Sequence, residues 1–199
     1  MNINLQKLTL TAVLSALIVA MTFIPYTGYI MYAPIALEIT TLHVVVILGA
    51  VALGPTGGFA LGSVWGLTCL LRAVIYSANP LFVPFLNPLV SVLPRMLVGL
   101  FAGLVFWALV KRSRCSKSLS AIIAGVVGTL TNTVFVLTMY NLFAGNLTGL
   151  NHVWTLFKSF FLVYISVNGL IELALAVILV PLLYQALKKP IQRMQRSLG

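Results

Sequence analysis

The chain has 199 residues, of which 61% are apolar and 7% charged, and its formal net charge is +10. About a quarter of the residues in a soluble globular domain are charged, so this composition, with a mean hydropathy of +1.10, excludes that class. Nearly all of the positive charge flanks hydrophobic stretches, where anionic lipid headgroups account for it; nucleic acid is not the implied partner.

A spanning helix takes roughly 20 apolar residues. The chain divides into six such stretches, which leaves no room for a separate soluble domain, so residues 1–199 read as one all-α integral membrane domain of six transmembrane helices. The first covers about Leu8–Pro25 and lacks the cleavable pattern of a signal peptide. An aromatic loop, Pro25–Pro34, follows it. The second covers about Glu38–Leu53, short for a crossing, and closes at the breaker Gly54-Pro55-Thr56-Gly57-Gly58. The third covers about Phe59–Ile75, then comes a loop, Tyr76–Phe85, with Asn79-Pro80 and Pro84. The fourth, fifth and sixth cover about Asn87–Val110, Leu119–Phe143 and Phe160–Leu187.

Of twelve Lys and Arg residues, nine fall in three places: Lys7, the stretch Lys111–Lys117, and the tail with Lys188, Lys189, Arg193 and Arg196. Basic residues accumulate on the cytoplasmic side of short loops, so both termini are expected inside. The loops at about 25–37, 76–86 and 144–158 then face outward, and Lys158 is the one basic residue among them. Tyr26, Tyr29, Tyr32, Tyr76, Tyr140 and Trp154 gather near the outer ends, either as an interfacial aromatic belt or as cover for a ligand pocket. Cys69 falls inside a span and Cys115 in a cytoplasmic loop, which makes a disulfide between them implausible.

Small residues recur every fourth position: Ala12, Ala16 and Ala20 in the first span, Gly58, Gly62 and Gly66 in the third, Gly99 and Gly103 in the fourth. Residues so spaced share a helix face and let helices approach closely in lipid.

The chain has two carboxylates, Glu38 and Glu172, and two histidines, His43 and His152. A metal-dependent phosphotransferase needs several acidic ligands, and no metal site or cofactor is expected here. The Gly54–Gly58 turn lacks the GK[ST] ending of a phosphate loop, and no nucleophile motif is present, so the chain does not read as an enzyme. Charges within hydrocarbon are costly and face a protein interior or a ligand path. Arg95 falls about 12 Å and Glu172 about 18 Å into their spans at 1.5 Å per residue, either as an ion pair or with Arg95 free for a ligand. Arg72 either snorkels to the headgroups or binds a ligand. Asn132 and Asn168 are polar amides suited to helix–helix contact or to a polar solute.

Three segments together resemble the substrate-binding S components of energy-coupling factor (ECF) vitamin transporters: Thr41–Gly58, Gly62-Ser-Val-Trp-Gly-Leu67, and Phe85-Leu-Asn-Pro-Leu-Val-Ser-Val-Leu-Pro-Arg95. The likeness covers nearly the whole chain and is greatest to the pantothenate type. It implies a multi-pass protein of a prokaryotic plasma membrane that captures a vitamin outside. It further implies docking on a transmembrane coupling protein, through Ala12 and Ala16 of an Ala-x-x-x-Ala motif, with two ATPase subunits as the energy source. The expected substrate contacts are Arg95, Arg72, Asn132, Asn168 and Asn87. Riboflavin, folate, cobalamin and pyridoxine are the alternative vitamins. A free-standing secondary transporter and a ligand-free assembly subunit are the alternative classes.

Overall fold

In hydrocarbon every backbone polar group must find a partner within the protein, and a helix does this inside one segment. The computed structural model describes residues 5–32, 37–78, 80–112, 115–147 and 168–189. Its long helices are α1 (Leu5–Phe23), α3 (Pro55–Ile75), α5 (Leu93–Arg112), α6 (Lys117–Leu147) and α7 (Asn168–Lys189). A single turn, α4 (Pro88–Ser91), runs into α5, and together they make one pass over Pro88–Arg112. Among the described residues five passes are long and apolar enough to cross a bilayer. The expected start of the sixth span at about Phe160 lies outside the described residues, as does Trp154.

The second span departs from its expected bounds. Its helix, α2, covers Leu42–Leu53, and all twelve residues are buried. At 1.5 Å per residue it is about 18 Å long against a hydrocarbon core of about 30 Å. A helix apolar all round belongs inside a bundle, and α2 packs against α1, α3, α5 and α6. Glu38 falls instead in a strand: β1 (Tyr29–Tyr32) and β2 (Leu37–Thr40) form an antiparallel pair in which Tyr29 faces Thr40 and Met31 faces Glu38. The hairpin is tied to α1, since the Gly28 N–H donates to the Met21 carbonyl (3.0 Å) and the Thr41 N–H to the Gly28 carbonyl (3.0 Å).

The breaker after α2 is shorter than expected. Gly54, at φ 90°, ends α2, and Pro55 opens α3 at once, the positive φ and the missing N–H suiting glycine and proline in those places. Gly58 lies inside α3, where it serves packing rather than turning. A Cβ at Gly58 would overlap the Gly99 carbonyl, and one at Gly62 the Arg95 carbonyl. A Cβ at Gly103 would stand 2.7 Å from Pro55 Cα. The glycine stripes of α3 and α5 thus bring the two backbones together along the whole contact and fix Arg95 opposite Gly62.

Two ends of the bundle differ in chemistry. The C-terminal parts of α5 and α7 lie together, with Phe106 and Tyr184 rings 5.9 Å apart. Lys111, Arg112, Lys117, Lys188 and Lys189 are exposed at that end. The opposite end holds the hairpin, a 3-10 segment (Pro80–Leu86), α4 and the start of α7. Aromatic residues there divide between two fates: Tyr26 and Tyr76 are exposed, while Tyr140 is buried against Phe85.

Candidate functional site

Arg72, near the end of α3, grips Glu38 of β2 with both arms of its guanidinium: Nη1 donates to Oε2 (2.6 Å) and Nη2 to Oε1 (2.5 Å). Its charged group lies 4.1 Å from the Tyr29 ring centre, 5.1 Å from Phe82 and 5.3 Å from Tyr76, within cation–π range. With its side chain 13% exposed, Arg72 turns inward to the hairpin rather than outward to headgroups. It is a clamp, and its charge is spent on Glu38.

Arg95 has a different environment. Pro94 has no N–H, so the Val90 carbonyl four residues earlier loses the donor that a continuous helix would supply. Arg95 Nη1 takes that place at 2.7 Å. The guanidinium rests between Trp65 (5.3 Å) and Phe85 (5.5 Å), it is 4% exposed, and its Nε is buried without a hydrogen-bond partner. No ion pair between Arg95 and Glu172 forms; among the described residues the one salt bridge is Arg72–Glu38.

Glu172 and Asn168 stand four residues apart on α7 and both reach β2. Glu172 Oε1 accepts from the Thr40 N–H at 2.8 Å, and Asn168 Nδ2 donates to the Glu38 carbonyl at 2.9 Å. His43 Nε2 donates to the Glu172 carbonyl at 3.3 Å. Asn132 is 5% exposed, with Oδ1 unpartnered. It stands level with Asn168, because the neighbouring Thr133 methyl lies 3.8 Å from where a Cβ on Gly169 would be. Asn87 caps α4: its Oδ1 accepts from the Leu89 N–H at 3.0 Å, with Pro88 at the first helical position.

These contacts form a chain from Arg95 to Glu172. Arg95 lies over Trp65, the Trp65 Nε1–H donates to Tyr29 Oη (3.2 Å), Tyr29 pairs with Thr40 in the hairpin, and Thr40 is held by Glu172. Of the five expected substrate contacts, Arg95 and Asn132 keep unpartnered polar atoms inside the bundle, while Arg72 and Asn168 hold the hairpin and Asn87 caps a helix. Thr40, whose Oγ1 is also buried and unpartnered, and Trp65 were not anticipated. The alternation of Glu38-Ile39-Thr40 is the one signal that could have revealed the strand carrying Thr40. A buried polar atom left unpaired costs about 1–3 kcal/mol, so the Arg95 Nε–H, the Asn132 amide oxygen and the Thr40 hydroxyl are candidates for contact with a polar solute. The buried guanidinium of Arg95, in no salt bridge among the described residues, suits a carboxylate, and the oxygens suit hydroxyl or N–H donors.

On α1, Leu14, Ile18 and Thr22 face the bundle, whereas Ala12, Ala16 and Ala20 are exposed.

A family model for the ECF transporter substrate-specific component matches residues 6–184. The chain is 34% identical over 171 residues to the Pantothenic acid transporter PanT of Lactococcus lactis subsp. cremoris (strain MG1363), covering 78% of this chain and 81% of that protein. It is 27% identical over 187 residues to the Pantothenate transporter PanT of Leuconostoc mesenteroides subsp. mesenteroides, covering 90% of each.

Proposed function

The chain belongs to the family of ECF transporter substrate-specific components, and from that premise we propose that it captures pantothenate and passes it inward across the plasma membrane. The observation that carries the substrate is Arg95. With Glu38 committed to Arg72 and Glu172 bonded to Thr40, it is a buried cation that no carboxylate of the described residues neutralises. Pantothenate has one carboxylate, an amide and hydroxyls, and so complements a buried guanidinium together with the buried, unpartnered oxygens of Asn132 and Thr40. The names of both similar proteins favour the same solute.

The exposed Ala12, Ala16 and Ala20 form a smooth face on α1, the least buried of the long spans. In this reading that face docks on a membrane coupling protein whose ATPase subunits drive transport. The end bearing Lys111, Arg112, Lys117, Lys188 and Lys189 is cytoplasmic by the positive-inside rule, and Arg95, near the start of α5, lies toward the opposite end. Titration of the purified protein with pantothenate, riboflavin, folate and pyridoxine tests the reading. Pantothenate alone binds tightly if it holds, and tight binding of another vitamin without pantothenate overturns the substrate while leaving the family in place.

A further inference from the structure

Trp65 is fully buried in α3, and its indole carries an N–H that a buried position must satisfy. The partner comes from the hairpin: the Tyr29 hydroxyl, 36 positions earlier in the chain, accepts that N–H at 3.2 Å. Filling the space requires neither polar atom. A phenylalanine at 29 would still offer a ring face to the Arg72 guanidinium, now 4.1 Å from the Tyr29 ring centre, and a phenylalanine at 65 would need no acceptor. What the pair adds is orientation. An indole is lopsided and its outer torsion has two broad wells, so a bond at Nε1 selects one of the two flips. The Arg95 guanidinium lies over the ring so fixed, 5.3 Å from its centre. Its second aromatic neighbour, Phe85 at 5.5 Å, packs on Tyr140. A phenyl ring flips onto itself and needs no such tether.

We infer that Tyr29 is a positioning residue for substrate binding: its hydroxyl fixes the Trp65 ring, and that ring fixes the plane of the Arg95 guanidinium. This rests on the pantothenate reading, in which Arg95 receives the substrate carboxylate. It adds that the hairpin contributes to affinity through Trp65 rather than by contact with the solute. The Val90 carbonyl holds Arg95 at Nη1 and so pins one arm of the fork, while the Trp65 face sets how the fork is tilted. Tyr29 is itself held twice, by the Arg72 guanidinium over its ring and by its strand partner Thr40, whose N–H donates to Glu172. The two arginines thus act in series, Arg72 steadying Tyr29 and Tyr29 steadying Trp65 beside Arg95. A fork ordered before the ligand arrives spares the complex the cost of ordering it during binding.

The test is a double-variant cycle on the full-length protein in detergent. Pantothenate affinity and the thermal midpoint are measured for the native chain, Tyr29→Phe, Trp65→Phe and the two combined. Tyr29→Phe removes one oxygen and should weaken pantothenate binding about three- to tenfold, the scale of ordering one side chain during binding. Trp65→Phe keeps an aromatic face beside Arg95 and should lose at least as much. With the indole gone, adding Tyr29→Phe should cost no more than about twofold further, because a residue that works through another adds nothing once that other is removed. A merely structural Tyr29 would lower the midpoint and leave affinity at the native value, which overturns the assignment. Equal losses from Tyr29→Phe in both backgrounds overturn it too, since a direct ligand contact does not need the indole. Trp65→Phe at native affinity does the same without requiring the Tyr29 variant to fold. A native protein that does not bind pantothenate overturns the pantothenate reading itself, before any variant is made.

Discussion

Arg72 and Glu38 face each other across the gap between α3 and β2 with two parallel hydrogen bonds, and their side chains are 13% and 18% exposed. This pair decides which arginine is available to a ligand. A fork bound at both arms to a carboxylate has no strong site left for a second one, so on the proposed function the substrate carboxylate is assigned to Arg95.

Removing one partner of a largely buried pair leaves an uncompensated charge and is more damaging than removing both. Arg72→Gln and Glu38→Gln should each lower the thermal midpoint. The double variant should recover part of the loss, with a coupling of about 0.5–3 kcal/mol in the cycle. Strictly additive losses would show that the pair does not hold the hairpin.

Arg95→Lys keeps the charge but loses the planar fork and the stacking on Trp65 and Phe85. Pantothenate affinity should fall on the order of 10- to 100-fold, as expected for a charge-assisted bond worth about 1.5–3 kcal/mol. Arg72→Lys should leave affinity closer to native. Calorimetric titration of the two variants reads the difference, and equal losses would return Arg72 to the ligand.

Ala16→Trp places a large ring on the exposed face of α1, away from Leu14, Ile18 and Thr22. Substrate affinity of the isolated protein should stay within about twofold, since nothing buried is disturbed, while uptake and co-purification with the coupling protein are lost. Normal co-purification of this variant would remove α1 from the docking face.

Glycine substitutions should separate by neighbour. Gly62→Ala drives a methyl into the Arg95 carbonyl and should cost about 1–3 kcal/mol or more, the scale of overpacking; backbone cannot give way as a flexible side chain can. At Gly169 the added Cβ meets the Thr133 methyl at an ordinary 3.8 Å, so Gly169→Ala should be neutral or stabilise by about 0.4–1 kcal/mol. Thermal unfolding of the two variants in detergent measures the contrast.

Much of this architecture is legible in the residues alone. Apolar runs mark the long passes because hydrophobicity over some 20 residues is a strong local signal. Arg95 and Glu172 stand out as charges among apolar neighbours. What was hidden is what depends on through-space partners. Glu38 sits where apolar sequence begins, so it reads as the start of a span, yet strand pairing with residues 29–32 claims it. Its partner Arg72 lies 34 positions away, a separation no periodicity encodes. Asn87-Pro88 carries a helix-start signature, and the cap it forms is local; the same dipeptide, taken only as part of a family motif, suggested a ligand contact instead.

The hairpin also shows how a two-stranded sheet at the end of a helical bundle can be capped by a helix in place of a third strand. Glu38 and Thr40, two apart in β2, present backbone groups along one edge, and Asn168 and Glu172 of α7 answer them. Two residues of strand advance about 7 Å, and four residues of helix about 6 Å, so side chains one helical turn apart match the repeat of an exposed edge. A helix can thereby impersonate a neighbouring strand, donor for acceptor. Sliding α7 by a single position would unseat both bonds together, which makes the height of that helix and the register of the hairpin one mechanical variable.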